Sequence, residues 1–145
     1  MATGNQFCTF FLDGLFFGVE VMKVQEVIRY QEMTSVPLAP AVVRGLINLR
    51  GQIVMALDLR RRLEFPDRPG EHLPMNVVVS TEDGAVSLLV DEIGDVIEVD
   101  DDAFERPPEN LKGPSRDLIR GAYKLKDRLL IVLDANKIVQ VDSSN

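Results

Sequence analysis

The feature that most constrains the fold of this chain is a segment that occurs twice. Residues 43–58 and 119–134 share Arg-Gly near their starts, a leucine followed by a basic residue, and Leu-Asp at their ends. Each copy predicts strand, tight turn, strand, and each is followed by a short stretch, 59–63 or 135–139, with the pattern of a helical turn. The aspartate that ends each copy lies where an N-cap would accept backbone hydrogen bonds.

Two further hairpins are predicted upstream of these copies. Asp13-Gly14 separates β-rich residues 7–12 and 15–21, and Asp83-Gly84 separates residues 77–82 and 85–90. Asp-Gly between such runs is typical of a type I′ turn, which needs positive φ at both central residues. The short stretches that follow, 22–28 and 91–97, have apolar residues at i, i+3 and i+4, a pattern that fits a single helical turn or a bent strand.

The chain therefore consists of one module written twice, roughly 7–63 and 75–141, joined by the proline- and charge-rich residues 64–74. Each module supplies four or five short strands and a terminal helical turn. A sheet of this size is too small to fold well alone, so the pattern predicts an all-β fold with short helices. Two small barrels packed against each other are the simplest arrangement.

Composition argues against several classes of function. With Cys8 and His72 as the only cysteine and histidine, the 145 residues offer a zinc site or a nucleophilic triad too few ligands or bases. A formal charge of −7 opposes nucleic-acid binding, which needs clustered cations. The first residues lack the pattern of a signal peptide, and no apolar run approaches the ~20 residues of a membrane span. We therefore expect a non-catalytic, cytoplasmic protein without a metal or cofactor and without direct membrane insertion.

One strand carries a mixed patch. Alternation along residues 43–50 places Arg44, Leu46, Asn48 and Arg50 on one face. Arginines around an apolar residue suit a protein–protein contact, although a solvated sheet face is the alternative. Gly45 within the strand predicts a bulge or a close approach of another backbone.

The same residues carry a family resemblance. Residues 43–51, Val-Arg-Gly-Leu-Ile-Asn-Leu-Arg-Gly, followed by Leu57-Asp58-Leu59-Arg60, resemble the signature of the CheW family of bacterial chemotaxis coupling proteins. Residues 18–28 and the motif Ile119-Arg120-Gly121 are similar to the same family, and the resemblance extends from about residue 7 to 141. Met55 departs from the pattern, because many members have proline there.

The resemblance implies a single CheW-like domain over residues 1–145. Its fold would be two small five-stranded SH3/OB-like β-barrels packed on a shared hydrophobic core. In this family the first strand tends to pair with the second barrel. We therefore expect barrel one to span roughly 14–74, and barrel two roughly 75–145 together with the N-terminal strand 7–12.

The resemblance also implies a function, that of a scaffold coupling chemoreceptors to the histidine kinase CheA in a ternary signalling complex. The partners would be the regulatory domain of CheA and the cytoplasmic tip of methyl-accepting chemoreceptors, so the protein would be recruited to membrane-associated receptor arrays. Carried over by position, the receptor-binding residues are Val24, Glu26, Arg44, Gly45 and Arg50. Gly51 and Ile53 are candidates for the kinase-binding surface.

Two alternatives remain open from the sequence. The chain could serve a related chemosensory pathway that controls pili or another output. It could instead be an OB- or SH3-like binding module of different specificity.

Overall fold

The computed structural model describes residues 5–70, 72–106 and 114–141, which form short strands and single helical turns. In chain order the strands are β1 Asn5–Leu12, β2 Leu15–Glu20, β3 Val24–Ile28, β4 Val43–Leu49, β5 Gln52–Asp58, β6 Met75–Thr81, β7 Gly84–Val90, β8 Glu92–Val99, β9 Phe104–Glu105, β10 Ile119–Lys124 and β11 Leu129–Leu133. The helices are α1 Leu59–Arg62, α2 Pro114–Asp117 and α3 Ala135–Ile138, with 3₁₀ turns at Val21–Lys23 and Asp101–Ala103. The predicted all-β class with short helices is confirmed.

The strands form two mixed sheets. The first has six strands in the order β8-β1-β2-β11-β10-β9, and the second has five in the order β3-β6-β7-β5-β4. Strand β1 pairs antiparallel with β8, from the C-terminal half of the chain, as well as with its hairpin partner β2.

The boundaries expected for the two barrels, 14–74 and 75–145, are wrong for three strands. Strand β2 lies in the first sheet, in parallel pairing with β11, whereas β6 and β7 lie in the second, where β7 pairs parallel with β5. Each Asp-Gly hairpin thus completes the sheet that contains the repeated segment of the other half of the chain. The physical reason is connectivity, because parallel neighbours must be joined by a long crossover and cannot come from adjacent hairpin strands.

Three apolar clusters account for the packing. Buried residues of the second sheet form one cluster of their own: Ile47, Leu49, Val54, Ala56, Val78 and Leu89. Those of the first sheet form another: Phe7, Val99, Tyr123, Leu130 and Val132. The largest cluster draws on both sheets, with Phe10 and Phe17 from the first and Leu57 and Leu88 from the second. The predicted shared hydrophobic core is therefore present, and each sheet also encloses an interior.

The first sheet is strongly curled. Strands β2 and β11 lie between β1 and β10, which would separate the outer pair by roughly 14 Å in a flat sheet. The rings of Phe7 on β1 and Tyr123 on β10 are nevertheless only 5.5 Å apart between centroids.

The repeated segment is repeated in structure as well. Pairing between β4 and β5 shifts register between Val43 and Gly45, and pairing between β10 and β11 shifts between Ile119 and Gly121, the equivalent positions. In each copy an additional segment of the chain lies beside the first strand. β9 pairs with β10, and Thr34 forms an isolated bridge to Leu46 on β4. β9, the sixth strand of the first sheet, thus corresponds to the Thr34 segment beside the second sheet.

Of the two predicted Asp-Gly turns, the first is confirmed and the second is displaced. Asp13 and Gly14 both have positive φ, 51° and 78°, and form the predicted tight turn. The second hairpin is displaced by one residue, because Thr81 pairs with Gly84 and leaves Glu82 and Asp83 in the turn. The Thr81 hydroxyl stabilises this turn by donating to the Gly84 carbonyl at 2.7 Å.

The two ambiguous stretches become mainly strand. Residues 22–28 contain the end of a 3₁₀ turn followed by β3, while residues 92–97 belong to β8. Among the helices of the described ranges, none has the length and apolar character needed to cross a membrane.

Candidate protein-binding site

Two of the predicted receptor-binding residues meet across the two edges of the second sheet. Glu26 lies on the edge strand β3, and Arg50 lies in the turn after the opposite edge strand β4. The Arg50 guanidinium donates to the Glu26 carboxylate, and this contact raises the pKa of Arg50. The pair therefore links the two edges of the curled sheet, and the Arg50 side chain is still 73% exposed.

The turn that carries Arg50 is fixed by its backbone. Arg50 and Gly51 both have positive φ, 52° and 89°, and they connect the paired residues Leu49 and Gln52. The Asn48 side chain accepts a hydrogen bond from the Gly51 N–H at 2.8 Å. Arg50 is thus presented at the tip of a well-defined hairpin whose twist suits the strands.

Val24 and Gly45 have structural roles in the same sheet. Val24 begins β3 and packs in part against the shared core. Gly45 is buried, and a Cβ there would lie 2.6 Å from the Thr34 carbonyl oxygen. The close approach predicted for Gly45 is confirmed, and Thr34 is the neighbour that sequence analysis did not find.

Arg44 lies apart from Arg50. The alternation predicted for β4 holds, with Gly45, Ile47 and Leu49 buried on one face and Arg44 exposed on the other. Arg50 is six positions after Arg44 along an extended strand, which separates them by about 20 Å. Arg44 donates to Asp58 at 3.3 Å, so it belongs to a different set of charges from Glu26 and Arg50.

One of the predicted kinase-facing residues, Ile53, lines a large cavity between the second sheet and residues 136–141. This cavity has a volume of about 980 Å³, and Ile53, Met55 and Val86 meet Val139 and Val141 across it. Ile53 is 61% exposed, which is high for an apolar side chain on a strand. Ile53 alone among the predicted site residues lines the cavity, so sequence analysis missed its remaining walls.

Sequence analysis also missed a network of arginines and aspartates at the junction of the sheets. Arg60 donates to Asp91 through Nε at 2.9 Å and Nη2 at 2.6 Å, and Arg68 Nε donates to Asp91 at 3.0 Å. Burial would raise the pKa of Asp91, but these arginines and the backbone N–H of Asp13 lower it overall. The members come from α1, from two turns and from the loop before β6, so no local motif could have revealed the network.

Comparison with known proteins agrees with this architecture. A family model described as CheW-like domain matches residues 6–143. The chemotaxis protein CheW of Bacillus subtilis is 31% identical over 142 residues, covering 98% of this chain and 91% of the relative. The CheW of Treponema pallidum is 31% identical over 137 residues, covering 92% and 81%.

A solved structure has the same fold. The crystal structure of the scaffolding protein TtCheW from Thermoanaerobacter tengcongensis superposes with a TM-score of 0.85. It is 24% identical in sequence, and the match covers 97% of this chain and 96% of that one.

Proposed function

This chain belongs to the CheW-like domain family, and we propose that it is a non-catalytic adaptor of chemotaxis signalling that couples chemoreceptors to the histidine kinase CheA. The observation that supports the proposal is the Arg50–Glu26 pair, a charged contact whose arginine is 73% exposed at the tip of a hairpin. Both residues are ones that the family resemblance assigns to receptor binding. The protein would act in the cytoplasm, at receptor arrays.

The receptor surface would be centred on Val24, Glu26 and Arg50. An apolar side chain beside an exposed ion pair suits the helical tip of a receptor, which can bury its apolar face and direct polar groups to the rim. Gly45 would act by keeping β4 close to Thr34, and Arg44 would contact the receptor only at the edge of this surface.

The kinase surface would include Gly51 and Ile53. Ile53 exposes an apolar side chain at the cavity between the second sheet and residues 136–141, and a β-domain such as the regulatory domain of CheA could cover it. Coupling needs no reaction at either surface. A body with a continuous core that binds both partners can transmit a receptor's movement as a bias on the kinase.

Charge reversal at the hairpin tip tests the receptor surface. We expect Arg50→Asp to weaken binding of a receptor cytoplasmic fragment by roughly tenfold or more, since one charge-assisted contact is lost and a repulsion with Glu26 is created. Asp tolerates the left-handed conformation of position 50, so the fold should survive. Binding is measured by pull-down and titration, and folding by thermal unfolding.

The chain offers a matched control. Arg120 pairs with Glu20 at 2.6 Å, both side chains are about half exposed, and Arg120 is the counterpart of Arg44 in the repeat. Arg120→Asp should leave receptor binding unchanged, while Ile53→Glu should weaken kinase binding and spare the receptor. An Arg50→Asp protein that binds the receptor with unaltered affinity would contradict the proposed surface.

A further inference from the structure

A second cavity, of about 300 Å³, opens between the start of β4 and the loop that follows α1. Among the described residues its charged lining is positive, because Arg44, Arg61 and Arg68 outnumber Asp58 and Asp67. This excess stands out in a protein whose formal charge is −7. None of the charged groups here takes part in the Glu26–Arg50 pair.

One of the three arginines, Arg61, makes a hydrogen bond with each of its side-chain nitrogens. Arg61 donates through Nε and Nη2 to Asp67, at 3.1 and 3.4 Å, and through Nη1 to the carbonyl of Ala41 at 2.9 Å. Because each side-chain nitrogen already has an acceptor, Arg61 lines the cavity but has few N–H groups available to a ligand.

The other two arginines keep unused donors. Arg68 donates to Asp91 through Nε, and its Nη1 lies 3.8 Å from Asp58, too far for a hydrogen bond. Its Nη2 is buried and has no hydrogen-bond partner among the described residues, although the side chain is only 5% exposed. Within the described ranges Arg44 makes one hydrogen bond, to Asp58, and its side chain is 38% exposed.

A buried guanidinium nitrogen without an acceptor is unfavourable, because its lost hydration is not replaced. Phosphate and carboxylate groups are the acceptors that guanidinium groups bind best, through short charge-assisted hydrogen bonds. We propose that this cavity is a binding site for an oxyanion, with Arg44 as its exposed donor and Arg68 as its shielded donor. Since Nη2 of Arg68 is buried, the loop that carries Arg68 must move slightly for the ligand to reach this nitrogen.

Inorganic phosphate and acetate are suitable probes for the two oxyanion classes. Each is titrated into the full chain at constant ionic strength, and binding is followed by calorimetry and, for phosphate, by ³¹P line width. We expect saturable binding of at least one probe, and Arg44→Gln should weaken it roughly tenfold, the effect of losing one charge-assisted hydrogen bond. Arg120→Gln, which removes the equivalent arginine of the other sheet, should bind as the unaltered chain does.

The results separate the ligand classes and can overturn the site. Binding of phosphate alone identifies a phosphate site, and binding of acetate alone a carboxylate site. No saturable binding of either probe, or equal affinity in Arg44→Gln, would overturn the proposal. Glu71 is adjacent in sequence to two lining residues, so Glu71→Gln is titrated in parallel. Probe binding by Glu71→Gln but not by the unaltered chain would also refute an external ligand, because the Glu71 carboxylate would then be the acceptor.

Discussion

At the scale of single residues, two glycines allow another segment of the chain to pack closely against each repeated segment. A Cβ at Gly45 would meet the backbone oxygen of Thr34, and one at Gly121 would meet the ring of Phe104. The first neighbour is backbone held by two hydrogen bonds of 2.8 Å to Leu46. The second is the end of a half-exposed side chain, and the nearest backbone atom there, the Glu105 oxygen, is farther away at 3.2 Å. Their tolerance of a methyl group should therefore differ.

We predict that Gly45→Ala lowers the free energy of unfolding by about 1–3 kcal/mol, as overpacking against immobile atoms does. Gly121→Ala should cost less, because the Phe104 ring can move toward solvent. Gly70→Ala, where an added Cβ meets nothing within 4 Å, should stay within about 0.5 kcal/mol of the unaltered protein. Urea unfolding gives the three values, and equal stability of Gly45→Ala and Gly70→Ala would contradict this account.

At the scale of elements, the two hairpin–helix units differ in how their N-caps are used. Asp58 caps α1 by accepting from the Arg60 and Arg61 backbone N–H groups, and it also faces Arg44. Asp134 caps α3 by accepting from Lys137 alone, at 3.2 Å, and it is half-buried. Asp58 is only 2% exposed, and its charge balances that of Arg68, which is 5% exposed and lies 3.8 Å away.

Replacing each cap by asparagine should separate these roles, since asparagine keeps the cap and removes the charge. We expect Asp58→Asn to cost about 3 kcal/mol, the usual result of removing one partner of a buried ion pair. Asp134→Asn should cost less than about 1 kcal/mol. Chemical unfolding of both variants measures the difference, and similar losses would show that Asp58 acts only as a cap.

At the scale of the whole molecule, Asp91 links the two sheets through hydrogen bonds and ion pairs. It lies between β7 of the second sheet and β8 of the first, and it accepts from the Asp13 N–H in the β1–β2 turn at 2.8 Å. Arg60 from α1 and Arg68 from the following loop complete its shell. The exchange of hairpins between halves of the chain makes this junction a meeting point of segments distant in sequence.

This junction should weaken in acid. Because the pKa of Asp91 is lower in the folded protein, its stabilising effect is complete above the ordinary aspartate pKa of about 3.9 and is lost as pH falls through the folded-state value. We expect the difference in unfolding free energy between the unaltered protein and Asp91→Asn to shrink between pH 6 and pH 3. A difference that stays constant in urea unfolding over this range would exclude Asp91 as the group responsible.

The sequence by itself determined what depends on neighbours along the chain. The repeated hairpins, the caps at Asp58 and Asp134, the Asp13-Gly14 turn and the buried face of β4 all follow from turn chemistry and alternation, which act over a few residues. Family resemblance also named Glu26 and Arg50 as candidate receptor-binding residues, although it did not predict the contact between them.

Tertiary structure decided which hairpin joins which sheet, the turn at Glu82 and Asp83, and the network around Asp91. Local patterns are the same whichever half a hairpin completes. The choice depends on burying both faces of β2 and β7 beside parallel partners, a long-range gain that no short window of sequence contains.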